Sequence, residues 1–245
     1  MKQIQLSDHF TYGRLLRFTL PSIGMMIFTS IYSVVDGFFV SNFAGKTPFA
    51  AVNIIFPLLM ILSTVGFIFG TGGSAIVAIA LGERKKEQAN RYFSLFVYIA
   101  FGLGILLAAL SIFFIRPICQ LLGAEGQMLE DCVVYGNIMQ LALIAYLLQY
   151  AFQSFCVTAE VPGLSLKMTV VSGVCNIVLD ALFVAVFRWG LVGAAVATSF
   201  SQYLGAVIPI VYFLRPNQSL LRLSRFKFDG KALLRTVTNG SSEMV

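Results

Sequence analysis

Ser172-Gly-Val-Cys-Asn176-Ile-Val-Leu-Asp180-Ala-Leu-Phe-Val-Ala-Val186 sets an Asn and an Asp one helical turn apart in a run otherwise apolar enough to span a bilayer. An ionisable side chain at the centre of a membrane helix costs roughly 2.5–3.5 kcal/mol on insertion scales. A chain that keeps one points it at a partner, a cavity or an ion path. A second acid, Asp36, lies in the same situation in the first apolar segment. The expectation is that the rest of the chain holds these two carboxylates near one another in a wet pocket.

Composition supports a membrane setting. The chain has 245 residues, of which 58% are hydrophobic and 11% charged, against about 25% charged in soluble domains. Its apolar runs predict an all-α, polytopic protein, because the hydrocarbon core admits no open sheet. The net charge of +6 does not indicate nucleic acid, since the basic residues fall between and beside the spans. Cys119, Cys132, Cys156 and Cys175 have no metal-ligand spacing. They read as small apolar residues of membrane helices, with a Cys119–Cys132 disulfide as the lesser alternative. No cleavable signal is read at the start, and the first apolar run reads as a true span.

Taken in order, residues 1–14 are a polar N-terminal lead-in containing His9, read as solvated, and residues 15–214 form a six-span lobe. The spans run over 15–40, 49–81, 92–115, 132–155, 168–187 and 191–214. Pro21 is expected to kink the first. Pro57 and Gly70-Thr-Gly-Gly-Ser74 lead us to expect a bent or overlong second. Residues 215–232 make a basic linker, whose segment 220–228 reads either as an amphipathic membrane-surface stretch or as an ordinary connection. The linker side, the N-terminus and the 2–3 and 4–5 loops carry fourteen Lys and Arg, against Lys46, Arg116 and Arg188 opposite. That asymmetry places both termini in the cytoplasm of a cell-membrane protein.

Helical wheels gather the polar residues inside the spans into stripes. Thr29, Tyr32, Ser33 and Asp36 share a sector of span 1, as do Ser172, Asn176 and Asp180 of span 5. Tyr146, Gln149 and Gln153 share one on span 4, and Thr198 and Gln202 one on span 6. Hydrogen bonds between membrane helices average about 0.6 kcal/mol, which is reason enough for a Ser or Thr but not for an Asp. The expected cation site is Asp36, Asn176, Asp180 and Thr198, whose hard oxygens suit Na⁺. Protons compete for the same carboxylates. The expected cavity lining is Thr29, Tyr32, Ser33, Tyr146, Gln149, Gln153, Ser172 and Gln202. No enzyme constellation, nucleotide loop or cofactor site is read, so the coupling ion alone, Na⁺ or H⁺, is expected.

Leu20-Pro21 with Val34-Val-Asp36-Gly-Phe-Phe-Val40, then Gly70-Thr-Gly-Gly-Ser74 with Leu81-Gly82, then Asn176-x3-Asp180 and Thr198 recur in an order that resembles the multidrug and toxic compound extrusion (MATE) family of antiporters. The resemblance implies export of organic cations and drugs in exchange for Na⁺ or H⁺, by alternating access between two six-helix lobes. It also implies that Asp36, Asn176, Asp180 and Thr198 form that family's N-lobe cation site. Members have twelve spans. Leu233-Leu-Arg235 and Met244 repeat Leu15-Leu-Arg17 and Met26 at a constant offset, so residues 233–245 are expected to begin a second lobe. The partners implied are cationic small molecules, membrane lipid, and that second lobe or a second copy. A lipid-linked saccharide flippase is the alternative. It calls for inward-facing basic residues, whereas the interior charges here are acidic.

Overall fold

The computed structural model describes residues 12–217 and 219–242, and those residues contain no strand. Its helices are α1 (Tyr12–Phe39), α2 (Lys46–Gly82), α3 (Lys86–Leu121), α4 (Gly126–Thr158), α5 (Pro162–Asp180), α6 (Gly190–Leu214) and α7 (Gly230–Ser242). Among the described residues, the six spans carried by α1 to α6 are long and apolar enough to cross a membrane. The helices overrun the spans read from the sequence because helical pairing continues past the apolar core. α2 rises about 55 Å over its length at 1.5 Å per residue, more than a bilayer core needs. α1 continues unbroken through Pro21.

The lobe is organised around α4, which packs against α2, α3 and α6 and is the most buried span. α1 lies at the edge, against α5, and is the least buried. Glycines decide how closely α2 is approached. A Cβ on Gly66 would lie 2.5 Å from the Leu147 carbonyl oxygen of α4. In Gly70-Thr-Gly-Gly-Ser74, each glycine serves a different neighbour: Gly70 faces Ala151 of α4, Gly72 faces the α7 backbone, and Gly73 faces Phe96 and Phe155. The segment is thus a packing device, in keeping with small residues at membrane helix contacts.

At the end of the lobe where α2 meets α3, Phe93 packs edge-on against Phe155 at 4.9 Å and Phe213 at 5.0 Å. This knot ties α3, α4 and α6 together, and the buried Leu221 and Ala232 belong to the same cluster. Residues 221–229 are not helical. They form a strap across α3, fastened where Arg222 N donates to Asn90 Oδ1 at 2.9 Å and Ser224 N donates to Ser94 Oγ at 2.7 Å. Backbone donors that find side-chain acceptors on α3 have no need of an amphipathic helix. α7 starts at Gly230 rather than 233, capped by Asp229 Oδ1, which accepts from the amides of Lys231 and Ala232. Residues 1–11, with His9, and Met244 lie outside the described residues. All four cysteines are free.

Replacing Gly66 by Val is expected to destabilise the lobe by about 1–3 kcal/mol through overpacking. Gly102, where a Cβ would meet nothing within 4 Å, should accept Ala without loss. Thermal unfolding of the two variants in detergent checks the contrast.

Candidate functional site

The two acid-bearing helices change character just beyond their acids. After Asp36, α1 passes into a π-helical turn at Val40–Ala44, and after Asp180, α5 does the same at Ala181–Val186. The two π-helical ends touch one another. Such turns free backbone groups and often mark functional positions. On the far side of the second turn, Phe183 stacks on Trp189 at 4.9 Å, closing the link to α6.

Close approach of α1 to α5 is permitted by Gly173, which faces the rings of Phe28 and Tyr32. With the helices in contact there, Asp36 and Asp180 stand side by side, and Thr198 of α6 lies beside Asp36. Asn176 Nδ2 donates to Thr198 Oγ1 at 3.2 Å. Asp180 is fully buried and Asn176 is 3% exposed, while Asp36 is half-buried. Among the described residues, Asp36 Oδ1, both Asp180 carboxylate oxygens and Asn176 Oδ1 accept no hydrogen bond. Four buried acceptors without a donor are a large unmet demand for positive charge or protons. No group of three or more His, Cys, Asp or Glu occurs among the described residues. The donor set is therefore two carboxylates, an amide and a hydroxyl, which are hard oxygens fit for Na⁺ and unlike a transition-metal site.

One helical turn away, the same helices wall a cavity of about 410 Å³. Of the expected lining, Thr29, Tyr32, Tyr146, Gln149, Gln153 and Gln202 border it. Ser33 and Ser172 do not. Ser33 is exposed, and Ser172 is turned against α6, where its Oγ donates to the Ser201 carbonyl at 2.7 Å. Phe67, Ser154 and Thr169 also border the cavity, and among the described residues no charged side chain does. Tyr32 and Gln202 face each other, so the cavity adjoins the acid pair through Tyr32–Asp36 on α1 and Thr198–Gln202 on α6.

The MatE family profile matches residues 21–182, about two thirds of the chain. The chain belongs to the MatE family. Multidrug export protein MepA of Staphylococcus saprophyticus is 26% identical over 203 residues, covering 83% of this chain and 45% of the relative. MepA of Staphylococcus aureus strain MSSA476 is 25% identical over 247 residues, covering 96% and 54%. A MOP superfamily transporter from Pyrococcus furiosus shares the fold, with a TM-score of 0.86 and 22% identity over 92% of this chain and 50% of that one. The chain thus spans about half the length of the curated relatives it matches. That archaeal structure is described as having a binding pocket of reverse polarity that suggests a different function.

One neighbour of the acid pair was missed in the sequence. Tyr135 of α4, 6% exposed, lies near both Asp36 and Asp180. The signal was present: Tyr135 precedes Tyr146 by three helical turns and so falls on the same stripe.

Ser172→Ala removes a buried interhelical hydrogen bond and is expected to lower stability by about 1 kcal/mol. Ser33→Ala should leave it unchanged. Thermal denaturation of the two variants beside the parent distinguishes a helix tie from an exposed hydroxyl.

Proposed function

We propose that this chain is one lobe of a multi-pass secondary transporter that exports organic cations in exchange for Na⁺ or H⁺. Asp36 and Asp180, with Asn176 and Thr198, hold the coupling ion. The observation that carries this reading is the set of four buried acceptor oxygens without donors at the Asp36–Asp180 pair. A bound Na⁺ or added protons meet that demand, and the two compete because they use the same oxygens. Filling the site pulls α1 and α5 together at their π-helical ends, and this changes the pose of Tyr32 in the adjoining cavity.

The cavity supports the substrate class. Tyr32, Tyr146, Tyr150 and Phe67 offer aromatic faces to a cation, and Gln149 and Gln153 offer amide oxygens. Gln149 Oε1 is buried without a donor, so it too favours a ligand that brings positive charge. The flippase alternative is weakened because neither Lys nor Arg lines the cavity among the described residues. Alternating access requires a second lobe to rock against this one, so transport belongs to the complete assembly in the cell membrane, its basic side cytoplasmic.

The test is thermal stability of the purified chain in detergent across Na⁺ concentrations at several pH values, beside Asp180→Asn. Na⁺ is expected to raise the melting temperature of the parent, with acidification blunting the response and the variant losing it. Parent and variant responding alike would rule out ion binding by the acid pair. In the complete transporter, Asp36→Asn with undiminished efflux of tetraphenylphosphonium would do the same.

A further inference from the structure

Away from the acid pair, a second cavity of about 590 Å³ lies between the α2–α3 turn and the strap. Five cationic side chains border it (Arg84, Lys85, Lys86, Arg91 and Lys227) against the carboxylates of Glu87 and Asp229. The acids are largely engaged. Asp229 Oδ1 caps α7, and Glu87 lies 3.9 Å from Arg91. Lys85 is held 2.7 Å from Glu83. Arg84, Lys86 and Lys227 form no ion pair among the described residues. The surplus of positive charge is thus concentrated on three side chains converging from two distant parts of the chain.

That convergence is built by the fold. The Asn90 and Ser94 bonds dock the strap on α3, and Phe226 packs edge-on against Tyr98 at 6.0 Å. This brings Lys227 to the mouth that Arg84 and Lys86 form. Arg84 also adopts a left-handed backbone, with φ of 60°. The same hydrogen-bonded turn follows α3 and α4, with Gly123 (φ of 89°) and Glu160 (φ of 60°) at the corresponding positions. For a residue with a Cβ this conformation costs about 1–2 kcal/mol, a cost that glycine at position 84 would remove. An arginine held there places a guanidinium over the cavity.

We propose that this cavity binds a phosphate group, with Arg84, Lys86 and Lys227 as its cationic ligands. The phosphate is that of an anionic lipid headgroup or a free phosphate. Phe228, 65% exposed beside the cations, favours the lipid, since its apolar ring would be covered by acyl chain but not by a free phosphate. A ligand held by both the turn and the strap fastens the connection to α7 onto the lobe. The site is independent of the transport reading.

The experiment measures thermal stabilisation of the purified chain by two probes. These are phosphatidylglycerol against phosphatidylcholine in nanodiscs, and inorganic phosphate against chloride at equal ionic strength in detergent. The parent is expected to respond to at least one probe. A response to phosphatidylglycerol alone assigns the headgroup, and a response to inorganic phosphate assigns the free anion. Lys86→Gln with Lys227→Gln alters only exposed side chains and is expected to weaken the response about fivefold per charge removed. Arg84→Gly should raise the basal melting temperature while losing the response, which a purely structural arginine would not do. Lys167→Gln with Arg215→Gln removes two charges from the same side of the lobe outside the cavity and should retain it. The proposal is overturned if neither probe stabilises the parent, or if the Lys167/Arg215 variant loses as much as the Lys86/Lys227 variant.

Discussion

Two carboxylates inside membrane-spanning helices set the terms for much of this lobe. Asp180 is fully buried with both oxygens lacking a donor, and Asp36 presses against it from another helix. Neither acid could be left beside lipid at tolerable energy. Each helix that carries one must therefore turn its polar stripe inward, which fixes the rotation of α1 and α5 about their axes. Gly173 then sets how closely α1 approaches α5, and the Asn176–Thr198 bond orients the amide of α5 toward α6.

The other end of the lobe is held by different means. The Phe93, Phe155 and Phe213 cluster binds α3, α4 and α6 through ring contacts and apolar burial. An aromatic knot at one end and a pair of π-helical ends, packed through Val40, Val184 and Ala194, at the other hold the lobe by different contacts. The acids sit at the π-helical end, where the backbone leaves the regular α-helical ladder.

The sequence revealed the spans because an apolar run long enough to cross a bilayer has few other readings, and it revealed the inward stripes because Asp in such a run has none that is cheap. It did not reveal which neighbour each stripe meets. Ser172 and Asn176 share a face of α5, yet one ties α6 at Ser201 and the other reaches Thr198. Ser33 lies in the sector of Tyr32 and Asp36 but is exposed, since a wheel gives direction without giving the radius at which a partner stands. The strap was equally hidden, because its acceptors on Asn90 and Ser94 lie some 130 residues away in the chain.

That strap also acts as a tether. Residues 215–229 drawn out fully would reach about 50 Å, at 3.3–3.6 Å per residue. While Ser224 stays bonded to Ser94, only residues 225–229 remain to unreel before α7, and they reach about 17 Å. The leash between the lobe and α7 is thus about a third as long as its residue count implies. Any separation of α7 from α2 is confined to that radius until the two serines part.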